Sequence, residues 1–145
     1  MKKNIFTTLA NFADIRKKNG LYIDKTKHIY ECIKNDKYFF LARPRRFGKS
    51  LLCSTLRELF SGNRSLFSNL WIDQSDWIWD HYPVIHLDMS IAAGVGNTVI
   101  GMKQKLFARL IHIAKNYDVD EPNQHAPIEL ALELLVINLY KKLDR

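Results

Sequence analysis

Residues 39–52 read Phe39-Phe40-Leu41-Ala42-Arg43-Pro44-Arg45-Arg46-Phe47-Gly48-Lys49-Ser50-Leu51-Leu52. An apolar run gives way to a short basic loop, and Gly48-Lys49-Ser50 then opens a leucine-rich segment with helical spacing. This is the strand–loop–helix setting of a phosphate-binding P-loop, whose general pattern is Gly, four free positions, then Gly-Lys-Ser/Thr. Counting back five residues from Gly48 lands on Arg43, so the first glycine is replaced. Arg43 lacks glycine's easy access to positive φ, and Pro44 pushes it toward extended geometry.

The chemistry of such a loop rests on backbone N–H groups and a helix N-terminus that surround phosphate with partial positive charge. Gly48 admits a close backbone approach. Lys49 would reach the β- and γ-phosphates, and the Ser50 hydroxyl would hold Mg²⁺. Arg43, Arg45 and Arg46 add charge that can meet phosphate, pair with acids or stay in water. Gly-Lys-Ser alone is common by chance; the apolar run before it and the leucines after it give it weight.

Outward from the loop, the pattern predicts mainly helices. Ile5, Leu9, Phe12 and Ile15 fall at roughly helical spacing, and Asn19-Gly20 ends that run as a turn. Asp24 is placed as N-cap of a helix over about 25–35, with Ile29, Cys32 and Ile33 inward. Tyr38 to Ala42 reads as a strand covered on both faces. The helix after the loop carries Leu51, Leu52, Leu56, Leu59 and Phe60 and stops at Ser61-Gly62. Leu66 to Ile72 reads as a short irregular or helical lid, and Trp77 and Trp79 as packing anchors. Pro83-Val84-Ile85-His86-Leu87-Asp88 reads as a second strand, and helices are expected near 97–116 and 128–143. Helices alternating with strands predict an α/β domain with a parallel sheet.

The 145 residues are the size of one domain, with 1–37 as an N-terminal helical segment and 38–145 as the core. Lys and Arg number 22 against 15 Asp and Glu, a formal charge of +7, which favours polyanionic partners such as nucleotide, nucleic acid or an anionic membrane surface. Cys32 and Cys53 make no disulfide framework, and the five histidines are scattered, so a zinc site is not expected. No apolar run is long enough to span a membrane. Thr7, Thr8, Asn11 and Asp14 interrupt the start too soon for a signal peptide, so a cytoplasmic protein is expected.

Several segments together resemble one family. Tyr22-Ile23-Asp24-Lys25-Thr26, then Phe40 to Leu51, then Phe60-Ser61-Gly62, and finally Pro83 to Ser90 are similar to the AAA-ATPase-like domain of bacterial proteins. That family carries a Tyr-Val-Asp-Lys-Thr segment, an Arg-Pro-Arg-Arg-Phe-Gly-Lys-Ser loop and a Pro-Val-Ile-x-Leu-Asp-x-Ser strand in this order. The resemblance implies a partial P-loop NTPase of ASCE type, a three-layer α/β/α fold with a short, mainly parallel sheet. It implies ATP and Mg²⁺ as ligands, with Arg45, Arg46, Phe47, Gly48, Lys49, Ser50 and Leu51 at the nucleotide and Ser50 at the metal. Arg43 is then a family variant of the first glycine. Asp24-Lys25-Thr26 is expected to be structural.

Family members continue with a strand ending in Asp-Glu-Tyr-Asp, the Walker B acid and its catalytic neighbour. Here the sequence runs to Leu143-Asp144-Arg145 without that strand, so a truncated, N-terminal portion is expected, binding nucleotide and hydrolysing it weakly or not at all. Asp88, at the end of its expected strand, is a secondary candidate for Mg²⁺. The family often carries a nuclease-like domain after this one, which makes nucleic acid a conceivable partner. Two other readings stay open: a basic nucleic-acid-binding module, and an inert truncated fragment.

Overall fold

The computed structural model describes residues 3–6, 9–35, 38–44, 46–87 and 98–143. They fall into two compact units, Met1–Val84 and Ile85–Arg145. The first contains α1 (Phe12–Lys17), α2 (Thr26–Asn35), α3 (Lys49–Phe60) and two 3-10 turns, Arg64–Phe67 and Trp71–Gln74. The second contains α4 (Val99–Asn116) and α5 (Ile128–Leu143).

The first unit is built on α1 against α3. Asn11 caps α1 by accepting from the Asp14 N–H at 3.3 Å. Phe12 is fully buried, edge-on to Tyr22 at 4.9 Å and tilted against Phe67 at 4.7 Å. Leu59, Phe67, Leu70, Ile72 and Ile29 complete the centre of the core. Each such side chain contributes about 2 kcal/mol by leaving water. After α1 the chain reverses at Gly20, whose N–H bonds Ile15 O at 2.7 Å. A Cβ there would sit 2.9 Å from both Ile15 Cγ2 and Ile15 O, which is why the position takes glycine.

Two polar clamps hold the 3-10 turns. Arg16 donates from Nε to Leu66 O at 2.7 Å and from a terminal nitrogen to Ser68 O at 2.6 Å. Asp24 accepts from Thr26 N–H at 2.8 Å and Thr26 Oγ1 at 2.7 Å through one oxygen, and from Trp71 N–H at 2.7 Å through the other. Thr26 Oγ1 in turn accepts from Ile72 N–H. The Tyr-Ile-Asp-Lys-Thr segment thus starts α2 and fastens it to residues 71–74. Trp77 packs edge-on to Phe60 at 5.6 Å and Trp79 against Phe67 at 5.2 Å, as packing anchors do.

The second unit is a helical hairpin. Thr98 caps α4 by accepting from Gly101 N–H at 3.2 Å. Leu110, Ile113 and Ala114 meet Ala131, Leu135 and Leu139, with Ile85 and Leu87 packed on the same cluster. Lys142 Nζ donates to Tyr117 O at 2.7 Å and Asp118 O at 2.9 Å, so the end of α5 satisfies carbonyls at the end of α4.

The expected three-layer α/β/α arrangement is overturned. Among the described residues the structure is helical and has no sheet, only an isolated parallel bridge between Asn4 and Gly20. The expected strand 38–42 has no assigned strand and no bridge among the described residues, with Tyr38 and Phe40 more than nine-tenths exposed. Pro83 to Leu87 likewise has no assigned strand among the described residues; its end, Asp88, lies outside them. An apolar run states that a segment prefers cover, yet a parallel strand exists only where a second strand arrives through a crossover connection. The N-terminal helical pattern is also shorter than its spacing suggests: the helix begins at Phe12, while Asn4 turns to backbone bonds with Asn19 and Leu21.

Burial opposes ionisation of Asp24, but its three donors and the nearby Arg16 outweigh that and hold its carboxyl below the ordinary range. A depressed folded pKa gives stability that is present above the unfolded value of about 4 and is lost as pH falls through the folded value. Asp24→Ala is expected to cost about 2 kcal/mol at neutral pH. Thermal melts from pH 7 to pH 2 should show the gap between wild type and variant narrowing below about pH 4.

Candidate phosphate-binding loop

Helix α3 starts at Lys49 because Gly48 takes the left-handed conformation, φ 78° and ψ 18°, and turns the chain into the helix. No side chain caps this end. The N–H groups of its first turn have no partner within the helix and point out along the axis, giving the end its partial positive charge. Arg46 also has a positive φ, 67°, unusual for an arginine and a source of backbone strain in the loop.

Lys49 lies at the start of α3 and folds back, its Nζ donating to Arg43 O at 2.5 Å. The ammonium therefore closes the loop across the replaced glycine position. Arg43, Pro44, Arg46, Phe47, Gly48, Lys49 and Ser50 are all exposed, Phe47 to 62%. Leu51 is half-buried and packs on the core, which leaves its backbone N–H as its part in any site. Arg45 and Asp88 lie outside the described residues.

The other end of the arrangement is rigid. Ser54 Oγ accepts from Phe12 N–H at 2.9 Å and donates to Leu51 O at 2.8 Å, while Thr55 Oγ1 donates to Leu51 O at 2.8 Å. Both residues are buried. Sequence reasoning missed them; the signal was two hydroxyl residues on the apolar stripe of a helix, where an unsatisfied hydroxyl would be costly. The role of Arg43 O could not be read from a side-chain pattern at all.

Among the described residues no carboxylate is hydrogen-bonded or ion-paired with Arg43, Arg46 or Lys49, and no group of three or more His, Cys, Asp or Glu is placed to hold a metal ion. Ser50 is the one residue of 43–50 with a side-chain oxygen. It fits the hydroxyl ligand that Mg²⁺ takes in such loops, though Mg²⁺ commonly adds one or two carboxylates. In the second unit a cleft of about 520 Å³ runs along α4, lined by Ile100, Phe107, Ala108 and Ile111 with Lys103 and Gln104 at its side; no loop residue lines it. No helix among the described residues is long and apolar enough to cross a membrane.

Residues 43–50 thus carry four cationic side chains and no acid, and end in Gly-Lys-Ser at a helix N-terminus that no side chain caps. The model of the AAA-ATPase-like family, described as predicted AAA-ATPase, matches residues 7–145, and the chain belongs to that family. It is 42% identical over 96 residues to an uncharacterized protein encoded in the vnfD 5′ region of Azotobacter chroococcum mcd 1. That match covers 65% of this chain and 18% of the relative, so the chain spans under a fifth of the protein it matches. No solved structure matches.

Two substitutions separate backbone from side chain in the loop. Gly48→Ala places a Cβ in open space but at φ 78°, so strain alone should cost about 1–2 kcal/mol in a denaturant titration. Arg46→Gly relieves a similar strain and loosens the unfolded chain, and is expected to be neutral within about 0.5 kcal/mol.

Proposed function

We propose that this chain binds a nucleoside triphosphate, ATP, through residues 43–51. The observation that supports the reading most directly is the Gly48 turn into an uncapped helix with Lys49 folded over the loop. In this reading the N–H groups at the start of α3 and the Gly48 backbone surround the phosphates, and Lys49 exchanges Arg43 O for phosphate oxygens. Arg45 and Arg46 meet the outer phosphates as charge-assisted donors. Mg²⁺, when bound, supplies a Lewis acid on the phosphates, and the Ser50 hydroxyl would hold it. Phe47 flanks the loop as an exposed apolar side chain.

The reading is one of binding without efficient turnover. Hydrolysis needs a group that orients the attacking water, and among the described residues none hydrogen-bonds to the loop. Membership of the AAA-ATPase-like family supports the nucleotide as ligand class. The work that nucleotide binding serves in the longer relatives belongs to the whole protein.

Calorimetric titration with Mg-ATP tests the proposal. Lys49→Ala is expected to weaken binding by about tenfold or more, the scale of one lost charge-assisted contact. Equal heats for wild type and variant would remove the loop from the explanation. Lys49 is exposed and its one side-chain hydrogen bond among the described residues is to Arg43 O, so the variant should melt within a few degrees of wild type.

A further inference from the structure

A chain of hydrogen bonds runs from α1 through the second turn of α3 to the loop. Phe12 N–H donates to Ser54 Oγ at 2.9 Å, and the Ser54 hydroxyl donates to Leu51 O at 2.8 Å. A hydroxyl has a single proton, and the other carbonyl in reach, Ala10 O, lies farther off at 3.3 Å. Thr55 Oγ1 donates to the same Leu51 O at 2.8 Å, so two side chains hold one carbonyl. Ser54 and Thr55 are both buried, where an unbonded hydroxyl would be costly.

Leu51 O and Leu52 N–H belong to one planar peptide unit, so fixing the carbonyl also fixes the N–H. Leu52 N–H donates to Gly48 O at 2.9 Å. Gly48 O in turn shares its peptide unit with Lys49 N–H, a donor of the first helical turn that has no carbonyl to meet within the helix. From Phe12 N–H to Lys49 N–H every bond donates in the same direction, and bonds aligned in this way polarise one another. Gly48 has no side chain to restrain its own peptide, and no side chain caps this helix end. The bond that Gly48 O receives from Leu52 does the orienting.

We infer that Ser54 is a positioning residue for the phosphate loop: tied to α1, it sets the Gly48–Lys49 peptide so that Lys49 N–H faces the anion. The inference rests on the loop being the nucleotide site. It deepens that reading by making the site depend on Phe12, which lies 37 residues before Lys49 in the chain.

The test is calorimetric titration of the full chain with Mg-ATP, on proteins shown to be folded by circular dichroism at the temperature used. Ser54→Ala removes the link and should weaken binding about tenfold. Ser54→Thr keeps the hydroxyl and should stay within about threefold of wild type. Leu59→Ala removes buried packing from the other end of α3 without touching the chain of bonds, and should also stay within about threefold. Wild-type affinity in Ser54→Ala overturns the inference and leaves the phosphate loop standing. Equal weakening in Ser54→Ala and Leu59→Ala, or weak binding by a folded Ser54→Thr, overturns it as well. Wild type that binds no Mg-ATP removes the loop reading, and the inference with it.

Should Ser54→Ala not fold, the amide resonances of the wild-type protein decide. Mg-ATP should move the Phe12 amide, at the far end of the chain of bonds. It should leave in place the Lys18 amide, which bonds Asp14 O at the end of α1. A Phe12 amide that stays put at saturating Mg-ATP overturns the inference.

Discussion

The buried hydrogen bond from Phe12 N–H to Ser54 Oγ, 2.9 Å long, is the contact on which the first unit turns. It joins two elements 42 residues apart in the chain, and it is made where Phe12 is fully excluded from water. A polar bond in such a place is worth little in net terms but costly to break, because both groups would be left without water. Ser54 also donates to Leu51 O, so the same hydroxyl links α1 to the first turns of α3. The loop contributes almost no packing of its own. Its direction is borrowed from α3, and the direction of α3 is set from the far side of the core.

Stability is accordingly uneven across the unit. Around Phe12, Leu59, Phe67 and Ile72 the side chains are buried and Ser54, Thr55 and Thr26 are hydrogen-bonded, while Trp77 Nε1 is buried without a partner among the described residues; Asp24 and Arg16 fasten the 3-10 turns. Among the described residues from Tyr38 to Ser50 all are exposed apart from half-buried Leu41, with a positive φ at Arg46 and at Gly48. Strain at Arg46 and a lysine held on a backbone carbonyl are tolerable there because α3 is anchored elsewhere. A segment with few buried contacts is also the kind that a ligand can reorder at low cost.

How far the site was legible follows from what each residue needs. Gly48-Lys49-Ser50 is a local pattern whose geometry depends on the turn it makes, and the structure keeps that turn. The Tyr-Ile-Asp-Lys-Thr segment reads as structural from a cap residue and a hydroxyl, and Asp24 and Thr26 behave so, although the second partner, Trp71, came from 47 positions away. Ser54 and Thr55 were passed over because their partners lie inside the core. The Lys49 to Arg43 O bond was invisible since one partner is backbone. Ile85 and Leu87 do pack, yet on α4 and α5 and not as a strand of a sheet.

The sequence by itself determined that this chain forms helices and roughly where, although α1 starts later than its spacing suggests and Cys32, Val99 and Met102, expected inward, are exposed. Helical periodicity, caps such as Asn11 and Thr98, and breakers such as Gly20 act over a few residues. It also determined the chemical character of the loop, since charge and the absence of acids are composition. Tertiary structure decided the rest: whether Tyr38 to Ala42 pairs, which carbonyl receives Lys49, and what holds α3. Those outcomes depend on groups distant in the chain meeting in space, and no local preference of the residues concerned contains that information.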